Sequence, residues 1–129
     1  MRAILIDPSA KTITEVVYTG DYQNIYTHIG AYSFDIVHLN NKGDTVFVDD
    51  EGLINGKVHI GGMFRYAGDN PAYLAGKGLI LGTDAERESV ATNMTLDEVR
   101  LHVEWGKPRM IGGRALFYGD SGTAWYMDL

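Results

Sequence analysis

The apolar residues of this chain fall mostly into short runs and alternating stretches, a pattern typical of β-strands. Ala3 to Ile6 form a continuous aliphatic run that ends at Asp7 and Pro8, which predicts a strand covered on both faces. Residues 12–18 are rich in β-branched side chains and follow after a connection short enough for a hairpin. We therefore expect these two strands to pair, with the first one central in a sheet.

One helix is clearly indicated between Asp21 and Gly30. Asp21 is a suitable N-terminal capping residue, and Gly30 is a suitable stop. Between them, apolar residues recur at the spacing that places them on one face of a helix: Tyr22, Ile25, Tyr26 and Ile29. This amphipathic helix is expected to cover one face of the sheet.

Short strands are predicted again further along the chain. Residues 33–54 have the pattern of a meander of antiparallel strands, with a strong turn signal at residues 40–43. Residues 79–81 form another buried strand. Between these regions, residues 61–78 are rich in glycine, and we interpret them as a long loop of the kind that is often functional or mobile.

Two signals compete in residues 95–105. Thr95 and Glu98 fit a helical capping box with Gly106 as the stop, whereas residues 99–105 alternate as in a strand. A short helical turn that leads into a strand satisfies both. Residues 114–118 and 123–126 then flank a turn as two strands of a hairpin. The prediction is a single α+β domain, residues 1–129, with a mainly antiparallel sheet and one or two helices.

Composition restricts the classes of function. The chain of 129 residues has no cysteine, which excludes disulfides, thiolate metal sites and cysteine nucleophiles. Its net charge of −6 and scattered basic residues argue against nucleic-acid binding. Every hydrophobic run is too short to cross a bilayer, and the first residues lack the features of an export signal. We therefore expect a cytoplasmic protein without nucleic-acid or membrane partners.

Residues 119–122, Gly-Asp-Ser-Gly, match the run around the nucleophilic serine of chymotrypsin-like proteases. That chemistry needs a histidine base, an oxyanion hole and a two-barrel scaffold that is far longer than this chain. The nucleophile elbow of α/β-hydrolases has a different spacing of glycines. Turn-forming residues between two aromatic-rich strands explain the same letters, so Ser121 is interpreted as part of a turn.

Metal sites are not indicated by the spacing of acidic residues and histidines. Residues 49–51, Asp-Asp-Glu, lack the ligand spacing of a calcium loop and are interpreted as a solvated hairpin tip. His38 and His59 could meet at a metal only if they lie on neighbouring strands. We assign no catalytic residue, no metal ligand and no cofactor.

The predicted loop at residues 61–78 holds the candidate ligand-binding residues. Arginine with aromatic residues is enriched at recognition surfaces, because a guanidinium group pairs with anions and stacks on rings. The candidates in this segment are Arg65, Tyr66, Asn70, Tyr73 and Lys77. The alternative is a surface segment that Phe64 and Tyr66 anchor in the core.

Several segments together resemble a known group of proteins. The opening ILIDP, the helix, VFVDDEGLING and LAGKGLILGTD are similar to small uncharacterised domains of bacteriophages and mobile elements, over roughly residues 1–84. The resemblance implies a phage or mobile-element accessory protein, which would act in the host cytoplasm. It implies nothing about catalysis.

The favoured interpretation is a non-catalytic binding protein that sequesters a host protein or a small anionic ligand. The alternative is a small hydrolase that uses histidines and carboxylates around residues 61–78. The chain has 14 aromatic residues, which is many for one small core, and its aromatic tail at residues 124–127 suggests a homodimer.

Overall fold

The computed structural model describes residues 1–49, 62–67, 72–111, 114–120, 122 and 124–127. In this part of the chain, eleven strands and two helices occur. The strands are β1 (Arg2–Asp7), β2 (Thr12–Val17), β3 (Phe34–His38), β4 (Thr45–Asp49), β5 (Met63–Tyr66), β6 (Ala72–Ala75), β7 (Gly78–Thr83), β8 (Ser89–Val90), β9 (Val103–Ile111), β10 (Arg114–Gly119) and β11 (Ala124–Met127). The helices are α1 (Gln23–Ile29) and α2 (Leu96–His102).

The strands form two antiparallel sheets. Sheet A has the order β2-β1-β7-β4-β3, and β8 pairs with the end of β7. Its central strands β1 and β7 are joined by Ile4 opposite Ile80, and both residues are fully buried. Sheet B has the order β11-β10-β9-β5-β6. The hairpin predicted from the first two runs is therefore confirmed, and so is the central position of the first strand.

Helix α1 ends where its pattern predicts, but it begins one residue later, because Tyr22 rather than Asp21 is its N-cap residue. Asp21 Oδ1 accepts a hydrogen bond from the Gln23 amide at 3.0 Å, which satisfies one free donor of the first turn. At the other end Gly30 adopts a left-handed φ of 66°, a conformation that glycine adopts without strain. Ile25 and Ile29 are the buried residues of this helix.

Helix α2 resolves the competing signals of residues 95–105. The Thr95 hydroxyl accepts a hydrogen bond from the Glu98 amide at 3.0 Å, and Glu98 Oε1 accepts one from the Thr95 amide at 3.3 Å. This capping box starts a helix of seven residues, after which the chain continues directly into β9. Both signals are confirmed, but Gly106 is not the helix stop. It lies inside β9.

Sheet A is covered on both faces. One face packs on α1 through a buried cluster that includes Phe47, Leu79, Ile25 and Ile29. The other face contributes to a larger cluster together with sheet B and α2, which supply Phe64, Leu74 and Val99 among others. Because residues of one strand alternate between the two faces, β1 and β7 take part in both clusters, which explains their continuous apolar runs.

Two expectations about the sheets are wrong. The strands form two sheets rather than one. Residues 63–66 and 72–75 pair as a hairpin, β5 and β6, rather than forming part of a long loop. Glycine-rich flanks conceal these strands in the sequence, although Phe64, Tyr66 and Leu74 all belong to the larger core cluster. The fold class is α+β with low helical content. In the described ranges, no helix has the length and hydrophobicity that a membrane span requires.

Candidate functional site

The five residues proposed from the sequence do not form one constellation. Arg65 and Tyr66 are neighbours in β5, so their side chains leave opposite faces of sheet B. Tyr66 belongs to the core cluster and is only 3% exposed. Asn70 lies outside the described residues. Tyr73 is opposite Arg65 in the β5–β6 register, and Lys77 follows β6.

Arg65 has a carboxylate partner on the adjacent strand. Its Nη1 atom lies 3.6 Å from Glu104 Oε2, and the two side chains are 15% and 17% exposed. Arg65 and Glu104 are also directly opposite each other in the register of β5 and β9. Withdrawing one partner of a largely buried ion pair leaves a buried charge without compensation. Glu104 therefore competes with any external anion for the Arg65 guanidinium.

Tyr66 is built into the interior rather than presented to a ligand. Its ring stacks on His102 with 5.2 Å between centroids and an interplanar angle of 8°. Burial raises the pKa of the Tyr66 phenol to about 12, and the negative charges of Asp44 and Glu98 add to this effect. The phenol is therefore neutral at physiological pH and stabilises the junction between β5 and α2.

Lys77 lies near the turn that joins β1 and β2. Burial raises the pKa of Asp7, but hydrogen bonds from Ser9 and Ala10 and the positive charge of Lys77 outweigh it. The pKa of the Asp7 carboxyl consequently lies below its usual value. The Asp7 side chain accepts the Ser9 hydroxyl at 2.7 Å, which orders the turn. Lys77 thus contributes to the charge balance of this turn.

An open groove lies on the face of sheet A that packs on α1. We call it the β3–β8 groove, and its volume is about 500 Å³. Strands β3 and β4 supply Ile36, His38 and Phe47, and the β7–β8 hairpin supplies Thr83, Arg87 and Ser89; Thr45 completes the lining. Phe47 also belongs to the α1 cluster, so the groove continues from that core to the surface.

The lining of the β3–β8 groove has an unusual charge pattern for this protein. The chain carries a net charge of −6, yet none of the described residues that line the groove is a carboxylate. Arg87 is exposed, and no ion pair joins it to any residue that the structure describes. Ile36, at 45% exposure, presents apolar surface on the same strand as His38. The groove therefore combines an apolar floor with one arginine at its rim.

The Arg87 backbone adopts a left-handed φ of 64°. Asp84 organises the turn that contains Arg87. Its Oδ1 atom accepts hydrogen bonds from the backbone amides of Glu86 and Glu88, each at 2.9 Å. A residue with a side chain is strained in this conformation by about 1 kcal/mol, whereas glycine is not. The turn therefore does not require the guanidinium group.

A second cleft of about 220 Å³ lies on another side of the molecule. Its lining comprises Lys11, Ile13, Arg100, Val103 and Trp105, and we call it the Trp105 cleft. Sequence reasoning identified neither opening, because the contributing strands and turns are far apart in the chain. The only local signal that could have indicated these openings is a cationic residue three or four positions after the aspartate of a tight turn. Lys11 follows Asp7 in this way, and Arg87 follows Asp84.

The structure describes only some of the other candidate residues. His38 ends β3, whereas His59 lies outside the described residues, as do Ser121 and the predicted tip at residues 50–51. Within the described ranges, no group of three or more histidine, aspartate or glutamate side chains is placed to hold a metal ion. The residues of the Gly-Asp-Ser-Gly run that are described lie at the end of β10 and in the following turn.

The fold and these openings define a small α+β protein in which two sheets share a core. A family profile described as a domain of unknown function, DUF3846, matches residues 1–105. The chain belongs to this family. The match ends within β9, so β10 and β11 lie beyond it. Comparisons with curated proteins and with solved structures gave no match.

Proposed function

We propose that this protein is a non-catalytic binding protein whose ligand is a small organic anion with an apolar body. The observation that carries the proposal is the position of Arg87, a cation on the rim of an apolar groove whose described lining holds no carboxylate. Ligand sites typically combine an apolar wall with few polar groups in a volume of about 300 to 1,000 Å³. The β3–β8 groove, at about 500 Å³, fits this description.

The apolar part of the ligand would contact Ile36 and Phe47. Removing apolar surface from water contributes about 25 cal/mol for each Å² that is buried, so even half a small aromatic ring adds measurable affinity. A carboxylate or sulfonate on that ring would pair with the Arg87 guanidinium. Charge-assisted hydrogen bonds of this type are shorter and stronger than those between neutral groups.

The backbone of Arg87 supports this assignment. A glycine at position 87 would adopt the same backbone conformation without strain. The turn itself therefore gives no reason for an arginine at this position. Strained residues concentrate at functional sites, where the surrounding structure holds them in place. Here the Asp84 carboxylate holds the turn through its two amide contacts.

The ligand class agrees with the small anionic ligand that we expected from the sequence, but the residues differ. Arg65 already faces Glu104, and Tyr66 is buried. Arg87 is exposed and borders an open groove. The wider interpretation of a phage accessory protein that sequesters a ligand or host protein in the cytoplasm stays a prediction, as does the homodimer.

Titration with anilinonaphthalene sulfonate tests the proposal, because this probe combines an apolar ring system with one anionic group and fluoresces when it is bound. The Arg87→Gly variant removes the guanidinium and relieves the strain, so it is expected to stay folded. We expect its dissociation constant to rise about tenfold, since a hydrogen bond to a charged group contributes about 1.5 kcal/mol or more.

Lys107→Gln is the matched control, because Lys107 is an exposed cation on sheet B that does not line the groove. It removes the same charge and should leave the dissociation constant unchanged. Ile36→Asp should weaken binding through the apolar floor. Equal affinity of the wild type and Arg87→Gly would overturn the assignment of the groove.

The hydrolase alternative is distinguished by turnover. Its support is that His102 stacks on Tyr66, which belongs to the segment at residues 61–78, and that the charge of Glu98 acts on the same phenol. A binding protein releases its ligand intact after denaturation, whereas a hydrolase releases product. Mass spectrometry of an ester or amide derivative of naphthalene sulfonate after prolonged incubation with the protein would separate the two functions.

A further inference from the structure

The Trp105 cleft lies where three parts of the chain meet. Lys11 comes from the β1–β2 turn, Arg100 from α2, and Trp105 from β9. Ile13 belongs to the larger core cluster, and Val103 and Trp105 pack against it, so the floor of the cleft is apolar. The cleft therefore places two cations beside an indole and aliphatic floor.

Both cations interact with carboxylates at the surface. Lys11 Nζ lies 2.6 Å from Asp120 Oδ2, and Arg100 Nη1 lies 3.5 Å from Asp97 Oδ1. All four side chains are substantially exposed. Ion pairs of this kind contribute at most about 1 kcal/mol, so an external anion can replace either carboxylate at low cost.

A third contact positions Arg100. Its Nη2 atom donates to the Ile13 carbonyl oxygen at 3.3 Å, on the outer edge of sheet A. This bond holds the guanidinium beside the cleft even when its pairing with Asp97 is lost. Arginine in such a position can both pair with an anion and stack on an aromatic ring.

Asp120 reaches the cleft from the β10–β11 turn. Its amide donates to the Trp105 carbonyl oxygen at 2.7 Å, which fixes the turn beside the indole. The turn belongs to the part of the chain beyond the family match, whereas Lys11, Arg100 and Trp105 all lie within it. The C-terminal hairpin thus brings a carboxylate onto a cation of the matched region.

We propose that the Trp105 cleft is a second anion-binding site, for a ligand that carries an aromatic ring, and that Asp120 is its built-in competitor. The ring lies against Trp105, and its anionic group replaces the Asp120 carboxylate at Lys11 and pairs with Arg100. The Gly-Asp-Ser-Gly turn then acts through its aspartate, which sets the affinity of the cleft. This inference does not depend on the β3–β8 groove.

Isothermal titration with benzoate tests it. The Arg87→Gly background removes the cation of the groove, so that binding at the Trp105 cleft is measured separately. In that background, Asp120→Asn frees Lys11 and should tighten benzoate binding about threefold to fivefold, the equivalent of up to about 1 kcal/mol. Adding Lys11→Gln should remove the gain. Arg100→Gln should weaken binding about tenfold.

Glu15→Gln is the matched control. The Glu15 side chain is 55% exposed, lies 3.1 Å from Arg2 and does not line the cleft, so this variant removes one negative charge elsewhere. If Glu15→Gln tightens benzoate binding as much as Asp120→Asn, the effect comes from net charge, and the role of Asp120 is wrong. If neither Lys11→Gln nor Arg100→Gln weakens binding, the cleft is not the site.

Inorganic phosphate is the second probe. Phosphate carries negative charge but no aromatic ring. If the cleft recognises both the charge and the ring, benzoate binds more tightly than phosphate. Stronger binding of phosphate would overturn the aromatic part of the proposal. Circular dichroism of each variant confirms that the fold is retained before the titrations are compared.

Discussion

The phenyl ring of Phe117 occupies the space that a side chain at Gly106 would need. Gly106 lies in β9 and Phe117 in the neighbouring β10, and a β-carbon built on Gly106 would overlap the ring. The Tyr118 carbonyl oxygen would also lie only 2.6 Å from that atom. Phe117 is fully buried, so sheet B depends on the absence of a side chain at position 106.

We therefore predict that Gly106→Ala lowers the free energy of unfolding by at least about 2 kcal/mol, because a packed core resists added atoms. Gly76→Ala is the control. Gly76 has a left-handed φ of 77°, but a β-carbon at this position would meet no described atom within 4 Å, so this variant should cost only about 1 kcal/mol of backbone strain. Urea unfolding measures both. Similar losses would show that the ring moves aside easily.

Stability at alkaline pH should depend on Tyr66. Burial holds the pKa of this phenol at about 12, above its unfolded value of about 10. The folded state therefore keeps a proton that the unfolded state releases. The resulting stability is fully present below about pH 10 and is lost as the pH rises towards 12, at about 1.4 kcal/mol per pH unit.

Tyr66→Phe removes this titration. The difference in unfolding free energy between the wild type and Tyr66→Phe should be constant below about pH 9 and should change in favour of the variant by about pH 11. Urea unfolding at these two pH values provides the measurement. An unchanged difference would mean that the Tyr66 phenol ionises in the folded protein at its usual pKa.

A buried hydrogen-bond network joins two distant parts of the chain. The Thr92 hydroxyl donates to Asp44 Oδ1 at 2.9 Å and accepts from the Met94 amide at 3.1 Å. Asn40 donates to Asp44 Oδ2 at 2.9 Å, so the β3–β4 turn is tied to the segment before α2. Asp44 and Thr92 are both buried.

Thr92→Val keeps the shape of the side chain but removes its hydroxyl. We predict a loss of about 1 to 3 kcal/mol of unfolding free energy, because a buried carboxylate loses a donor and a buried amide loses its acceptor. Thr14→Val, at an exposed position of β2, is the control and should change stability by less than about 0.5 kcal/mol. Equal effects of the two variants would assign the network no energetic role.

The elements that the sequence predicted correctly are those with strong local signals. The capping box at Thr95 marks the start of α2, and the glycine at position 30 marks the end of α1. The β5–β6 hairpin was missed because its strands have only four residues each and glycine-rich flanks. Nothing local distinguishes such strands from a loop until Phe64 and Leu74 are seen in the core.

The candidate sites were harder to predict than the fold. Arg65 was chosen for its aromatic neighbours in the sequence, but strand alternation separates it from Tyr66, and pairing places it opposite Glu104. Arg87 and Ile36 line the same groove only because β7 and β3 pair with opposite edges of β4, which brings the β7–β8 turn near β3. Contacts of this kind depend on strand order, which no local pattern in this chain determines.

The exposed edge of sheet A leads to the last prediction. Strand β3 ends the described order of the sheet, and Asp35 Oδ1 accepts a hydrogen bond from the Ile36 amide at 2.9 Å. The Asp35 carboxylate thus occupies the Ile36 amide, a donor that an added strand would need. Its negative charge also repels the same residue of a second protein molecule. Edge strands commonly use such charged residues to prevent pairing between molecules.

Asp35→Val should therefore increase self-association, because it removes the acceptor and the charge and adds a residue that favours strands. Asp35→Asn retains an acceptor oxygen and is the matched control, so its effect should be much smaller. Sedimentation velocity over a range of protein concentrations measures both variants against the wild type. If Asp35→Asn associates as strongly as Asp35→Val, charge alone protects the edge. If neither variant associates more than the wild type, Asp35 does not protect it.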